Sequence, residues 1–406
     1  MTTRTSLIGG AAAGVLLVLA AGQAQAQDTT VQWRGAPQWA NDSLTFKVRG
    51  RVYQDYIYQD VDRAVGADFT ASNTRLRTAR LGVEGTWNTN WSYKAEASIA
   101  SAGGSTQWED LILEYRPNDF TSLSVGNFKT VSLENITSSR YIVFMERGPF
   151  NDVLDIGRVM NVQAKLNGQN WTAAVAVSGD SVNNADVATN AGTGSKEVFG
   201  FNGRVTYAPI LTDTQALHLG VWARQRNRED QANFTYQTRN NTNYGARYVS
   251  TGAIGVKDQM LGVEGAWVYR NFSVQGEWAK VNVERLADAE ADLSAWYVQA
   301  SWFPTGETRR YEANKGEFNR TRILNPVTSG GMGALELGVR YDNVDLTDVR
   351  GVATAGEYQA VTLGANWYPH PYVRFMANYS VSENDNPAVA QDVDVKTLQF
   401  RAQFDF

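Results

Sequence analysis

The chain has no cysteine and only two histidines, His218 and His370. A disulfide framework and a thiolate metal centre are therefore excluded, and imidazole chemistry has almost no material to use. No Ser/Asp arrangement lies near either histidine, and His370 sits in a Pro-His-Pro turn, so a hydrolytic triad is not expected. Proline is scarce, 9 in 406 residues, which leaves long segments free to pair as strands. Beyond the N-terminal region no run approaches the ~20 apolar residues of a spanning helix, which excludes a helical membrane protein. Positive charge is not in excess either. Lys and Arg number 37 against 42 Asp and Glu, a net charge of −5, which argues against a nucleic-acid partner.

Aromatic residues and glycine are plentiful, with 12 Trp, 18 Tyr, 16 Phe and 36 Gly. So aromatic a chain is not disordered. The N-terminus reads as an export signal over residues 1–26. Arg4 supplies the positive region, Gly9 to Ala21 an apolar region too short to span a bilayer, and Ala24-Gln25-Ala26 a small-residue cleavage site. The mature protein is then expected to be residues 27–406.

That mature chain repeats one pattern: segments of roughly ten residues alternate apolar and polar, then break at Gly, Asn, Asp or Pro. In 91–99, Trp91, Tyr93, Ala95, Ala97 and Ile99 share one face, and Ser92, Lys94, Glu96 and Ser98 the other. In 396–406, Leu398, Phe400, Ala402, Phe404 and Phe406 oppose Gln399, Arg401, Gln403 and Asp405. A two-sheet sandwich could bury such apolar faces. The export signal, the segment length and the Trp and Tyr at segment ends favour a transmembrane antiparallel β-barrel, apolar outside and polar within. Strands are predicted near 46–58, 75–86, 91–100, 107–116, 122–128, 158–167, 170–178, 197–207, 215–226, 258–269, 272–283, 294–303, 334–344, 357–368, 372–382 and 396–406, about sixteen in all. Short turns alternate with longer loops (59–74, 129–157, 179–196, 227–257, 345–356, 383–395). Residues 304–333 are long where a short turn is due, either as a folded periplasmic loop or as a missed hairpin.

Several blocks resemble the phosphate-selective porin O and P family. They are Ser124-Val125-Gly126-Asn127-Phe128-Lys129, Ser132-Leu133-Glu134, Thr137-Ser138-Ser139-Arg140, Glu146-Arg147 and Thr305-Gly306-Glu307-Thr308-Arg309-Arg310-Tyr311. Gly50-Arg51, Arg77 with Ala79-Arg80-Leu81-Gly82, and Gly364-Ala365-Asn366-Trp367-Tyr368 are similar to other family segments. The resemblance implies a homotrimer of sixteen-stranded barrels in the bacterial outer membrane, in contact with its lipid. The third extracellular loop folds into the lumen and binds small anions such as phosphate. No cofactor is implied. Carried over by position, the constriction comprises Arg77, Ser138, Ser139 and Arg140, with Glu109 and Asp110 as its carboxylates. The family's second strand arginine falls on Thr78, its central third-loop lysine on Asn135 and its strand-five lysine on Ser124, so weaker phosphate binding is expected.

Alternation by itself places Arg80, Lys94, Lys165, Arg204, Arg224, Arg340, Arg374 and Arg401 on polar faces, with Asp110, Glu114, Glu264, Glu277, Glu336 and Asp342. Many of these are expected to pair across strands, Lys94 or Arg80 with Glu96 for example. Lys94 and Arg401 are expected far from the constriction. In the third loop, Lys129, Arg140, Arg147 and Arg158 are expected to face Glu134, Glu146, Asp152 and Asp155. Arg226, Arg228, Arg239 and Arg247 would give a positive mouth.

Overall fold

A computed structural model describes residues 30–33, 35–100, 106–183, 197–228, 234–286, 288–386 and 392–406. The expected signal segment lies outside the described residues. All sixteen predicted strands are present, as Leu44–Arg63, Phe69–Trp87, Trp91–Ala100, Gln107–Tyr115, Thr121–Phe128, Val159–Asn167, Trp171–Ser178, Phe199–Leu211, Gln215–Asn227, Ser250–Tyr269, Phe272–Arg285, Ala291–Trp302, Ala334–Asp345, Glu357–His370, Val373–Asp385 and Val393–Asp405. Each pairs antiparallel with its neighbours, and the last pairs along the first from Val393↔Arg63 to Asp405↔Arg51, which closes the barrel. The terminal Phe406 extends that seam, exchanging backbone hydrogen bonds with Gly50 at 3.0 and 3.1 Å. Closure leaves no unpaired edge, the condition a sheet must meet in hydrocarbon.

Several strands outrun their predicted ends. The first two reach Arg63 and Phe69, so the expected 59–74 loop shrinks to a few residues. There the outward face turns polar, with Asp60 paired to Thr70 and Tyr58 to Ser72, while Ile57 and Val61 are buried on the inner face, so the apolar-out, polar-in rule no longer marks the strand. Twenty residues at ~3.3 Å each span about 66 Å, well beyond a hydrocarbon core of about 30 Å. Two short strands at Thr30–Trp33 and Pro37–Ala40, and one at Phe234–Gln237 within the expected 227–257 loop, join the same sheet. The 304–333 connection is both things at once. It is a loop between barrel strands, and it carries a separate hairpin, Arg310–Glu312 with Glu317–Asn319, which leaves the barrel count unchanged.

The two faces follow the expected rule within the membrane belt. Val52, Leu81, Val125, Val162, Val205, Val263, Val298, Val339, Leu363 and Phe400 are exposed on the outside. Arg51, Asp55, Glu96, Arg204, Glu264, Arg340, Arg374 and Arg401 are buried on the inside. Higher up, the rule inverts on one side of the barrel. In Phe272–Arg285 the inner residues change from Gln275 and Glu277 to Ala279, Val281 and Val283, while Lys280 and Glu284 are exposed outside. Met260, Leu293, Ala295 and Tyr297 continue this apolar inner wall, and Phe150, Val153, Leu154 and Ile156 pack against it. The uniformly polar lining expected from alternation is therefore corrected here. Where the strand rises above the bilayer its outer face meets water, and its inner face is covered by chain rather than by solvent.

Candidate pore constriction

Arg77 and Arg80 are three apart, and Glu109 and Asp110 adjacent, so a regular strand would turn the members of each pair to opposite faces. Two bulges overcome this. Tyr53 pairs with Thr78 but Gln54 with Leu76, which leaves Arg77 as an extra residue. Arg75, Arg77, Thr78 and Arg80 then all face inward. Ala95 pairs with Leu111 but Ala97 with Trp108, so Glu96 stands opposite both Glu109 and Asp110. A bulge adds one residue and re-aims its side chain. The bend beside the second one depends on Gly126, at φ 137°, where a Cβ would lie 1.8 Å from the Leu111 carbonyl oxygen.

The bulges assemble one charged network. Arg80 reaches Glu109 at 2.6 Å, and Arg158 bridges Glu109 at 2.7 Å and Asp110 at 2.6 Å. Lys94 pairs with Asp110. Glu96, fully buried, is shared by Arg51 at 2.9 Å, Arg49 at 3.0 Å, Arg80 at 3.5 Å and Arg140 at 3.9 Å. Arg49 also pairs with Glu84, Arg80 with Glu109 and Arg140 with Asp405. With Lys47, Lys94, Arg158 and Arg320 joined through the same carboxylates, the network holds eight cations against five carboxylates among the described residues, an excess of positive charge. Next to this, Arg77 makes two bonds of 2.8 Å to Glu146, whose Oε1 also accepts from Arg401 at 2.7 Å. Burial alone would raise the Glu146 carboxyl, but Arg77 and Arg401 outweigh it and hold the group below the usual carboxylate range. The side chains of Arg77, Lys94 and Arg158 keep 25%, 26% and 20% of their surface, against 1% for Arg340 and Arg401, so the first three remain open to solute.

Residues 129–158 touch the inner faces of strands around the barrel. The Val143 carbonyl accepts from Asn366, that of Ile142 from Arg374 and that of Met145 from Arg401. Glu134 meets Arg340 at 3.5 Å, and Asp155 meets Arg226 at 2.9 Å. Glu277 accepts the backbone N–H groups of Leu133 at 3.0 Å and Glu134 at 2.7 Å. The loop's charges therefore pair mostly with the wall and not, as expected, with one another, because the wall offers partners at every height. The 227–257 loop also bonds inner residues: Asn241 to Asp342, Thr362 and Arg340, and Asn240 to Ser382 and Asn384. From the other end the 304–333 hairpin meets Arg204 through Gly316 and Thr137 through Phe318.

A family model described as phosphate-selective porin O and P matches residues 46–406. The chain belongs to that family. It is 25% identical to Porin O of Pseudomonas aeruginosa over 394 residues, 88% of each chain, and 28% identical to an uncharacterized protein of Caulobacter vibrioides over 389 residues, 93% of this chain and 77% of the relative. Among solved structures, the anion-selective porin from Comamonas acidovorans aligns at TM-score 0.56 and 14% identity, covering 89% of this chain and 100% of that one. OmpT of Vibrio cholerae aligns at 0.55 and 13%, covering 90% and 99%, and the outer membrane channel DcaP of Acinetobacter baumannii at 0.55 and 12%, also covering 90% and 99%. At such identities the structural likeness shows the fold. Family and fold together make this an outer-membrane porin.

The porin's remaining positions are distributed as follows. Ser139 accepts from Arg51 at 2.8 Å, whereas the Ser138 hydroxyl accepts from the Arg140 N–H in its own turn. Arg140 is buried, donating to the Gly50 carbonyl at 3.1 Å. Arg204 is held by Glu264 and Arg340 by Asp342, so both brace the wall. Arg374 and Arg224 are spent on the Ile142 and Asp155 carbonyls. Lys165 donates to the Lys315 carbonyl at 3.4 Å. Lys94 and Arg401 are not remote: they share Asp110 with Arg158 and Glu146 with Arg77. Arg80, not Lys94, takes Glu96. Arg49 and the hub role of Glu96 were not expected, and Arg51 was expected only as part of a family-like segment. The inward alternation of residues 49, 51, 53 and 55 was the signal for the two arginines.

Proposed function

We propose that this porin is a passive diffusion pore preferring small anions, with phosphate and phosphate-bearing solutes its favoured class, and that it works as a homotrimer. Residues 129–158 lie across the lumen and narrow it, and the aperture is bounded by Arg77, Arg80, Lys94 and Arg158. The observation that carries the reading is the excess of cations over carboxylates in the ion-pair network linked through Glu96, eight against five among the described residues. Charge left over in a narrow, poorly solvated passage acts on an ion more strongly than the same charge in a wide vestibule, where screening sets in within about 8–10 Å. The mixed signs around it keep binding weak enough for release. Support for the trimer comes from the family resemblance and from the run of short strands between Trp91 and Ser178, 8–10 residues each, which makes one side of the wall low.

The test is the reversal potential of single channels in a KCl gradient, repeated with phosphate. Wild-type channels are expected to prefer chloride and to be blocked partially by phosphate. Arg77→Glu is expected to move the reversal potential toward potassium, whereas Arg310→Glu, whose own side chain is exposed on the 304–333 hairpin, moves it little. Equal shifts from both would mean that selectivity is a diffuse field and would overturn the assignment of the aperture.

A further inference from the structure

One stretch of the outer wall lacks its side chains. Gly265 in Ser250–Tyr269 and Gly276 in Phe272–Arg285 are direct partners across the two strands, set between the exposed Leu219 and Val298 on the lipid-facing side. One row higher on the same face, Val263 pairs with Trp278 and Trp278 with Trp296. Trp296 turns toward the next strand, its ring centroid 5.2 Å from that of Tyr341, whose hydroxyl donates to Gln359 at 2.7 Å. A groove of about 630 Å³ is left open, floored by the two glycines and walled by Val263, Trp278 and Trp296. Glycine weakens a strand, and within one it marks a place where something approaches closely. Gly276 has a reason inside the chain, since a Cβ would lie 3.0 Å from the Tyr297 carbonyl oxygen. Gly265 does not: its backbone is not left-handed, and a Cβ would meet nothing nearer than the His218 carbonyl oxygen at 3.9 Å. The space it leaves open belongs to a neighbour outside the barrel.

The height and the side of the groove decide what that neighbour is. Above it the outer face turns charged, with Lys280 paired to Asp292 at 2.7 Å, and below it Tyr269, Phe272 and Trp302 form an aromatic row. The groove therefore lies inside the membrane belt and is continuous with the surface that meets lipid. Two 13-residue strands, Phe199–Leu211 and Gln215–Asn227, separate it from the low side of the wall on which the trimer is proposed to close. We propose that the groove is a lipid site, in which one acyl chain of the surrounding membrane lies along Gly265 and Gly276, against Val263 and the rings of Trp278 and Trp296. In hydrocarbon no hydrophobic force distinguishes the groove from bulk lipid, so retention comes from packing. Against a smooth wall an acyl chain touches protein on one side only. In the groove it is touched on three sides, and each added carbon–carbon contact contributes a little. The site holds its chain while lipids elsewhere around the barrel exchange.

The test is photolabelling of the assembled porin in phosphatidylethanolamine vesicles that contain a trace of the same lipid with a diazirine in one acyl chain. Labelled peptides are mapped by mass spectrometry. Labelling at residues 263–278 and 294–298 is expected to exceed that at 361–367, an equally exposed stretch of outer wall, by about five-fold, which roughly ten extra carbon–carbon contacts supply once the ordering of the chain is deducted. Gly265→Leu, whose side chain has room to fill the floor, is expected to bring the groove down to the level of 361–367. Leu81→Phe, which adds bulk to the outer face elsewhere, is expected to leave the groove's labelling unchanged. Heat-modifiable migration of each variant on gels checks that the barrel has assembled. Labelling that is even around the barrel, or undiminished in Gly265→Leu, overturns the site and leaves only the ordinary shell of lipid. Because the chain has no cysteine, oxidation of Gly265→Cys reports a second barrel: covalent dimers would mean that protein, not lipid, covers the groove, and would overturn the proposal as well.

Discussion

At the scale of the residue, the same residue type does opposite things according to what it faces. Arg340 and Arg401 are almost fully buried, each tied to carboxylates on two elements. Removing one partner of such a pair costs about 3–5 kcal/mol because the other charge is stranded. Arg77 also bonds a carboxylate but keeps a quarter of its surface, as its proposed place at the aperture requires. Asn135 makes the same point in reverse. Its place in the loop invites Asn135→Lys as a repair of the family pattern. The expected outcome is no gain in phosphate block and a lower temperature of barrel dissociation, because the new chain cannot make the bonds of the Asn135 amide to the Val131 and Ile156 carbonyls and its charge is buried. Stronger phosphate block in that variant, measured on single channels, would show that the side chain does reach the pore.

At the scale of the element, the third loop is held by packing as much as by charge. Phe150 and Leu133 are fully buried, and Phe150 stands edge-on to Tyr297 with ring centroids 5.6 Å apart. Truncating a buried phenylalanine costs about 3–5 kcal/mol. That is comparable to what anchors the tip of a loop of this length, so Phe150→Ala is expected to loosen the segment while the barrel, closed by its own ladder, still assembles. Single-channel conductance should then rise and become noisier. Unchanged conductance in a heat-modifiable Phe150→Ala barrel would mean that the loop does not set the narrowest point.

At the scale of the whole molecule, closure sets the requirements. Sixteen strands in one seam satisfy every backbone group in the membrane belt, and the apolar outer face then holds the barrel in lipid. The protein is expected in the outer-membrane fraction with its mature N-terminus at Gln27, and to migrate on unheated gels as a trimer that heating converts to monomer. N-terminal sequencing that returns Met1 would remove the export reading, and monomer migration confirmed by cross-linking would remove the trimer.

The sequence by itself determined the barrel, its strand number and which face of each strand meets lipid. Those properties follow from a local period of two, legible wherever one face sees hydrocarbon and the other water. It failed where that contrast ends. In the upper half of Leu44–Arg63 the outer face turns polar at Asp60 and Asp62 while Ile57 and Val61 are buried within, and Ala279, Val281 and Val283 are likewise apolar on the inner face, because folded chain covers them. The aperture was legible only in part. Resemblance and alternation pointed to Arg77, Arg80, Glu109 and Asp110 for the proposed aperture, but strict alternation would have parted both pairs. Only the tertiary structure shows the bulges that turn them to one opening. A bulge is a mismatch between two strands, and neither strand's own sequence records it. Arg80 apart, the partners of Glu96 and those of Glu146 were hidden for the same reason: each lies across the lumen or around a loop, at distances in the chain over which residue order carries no record of contact.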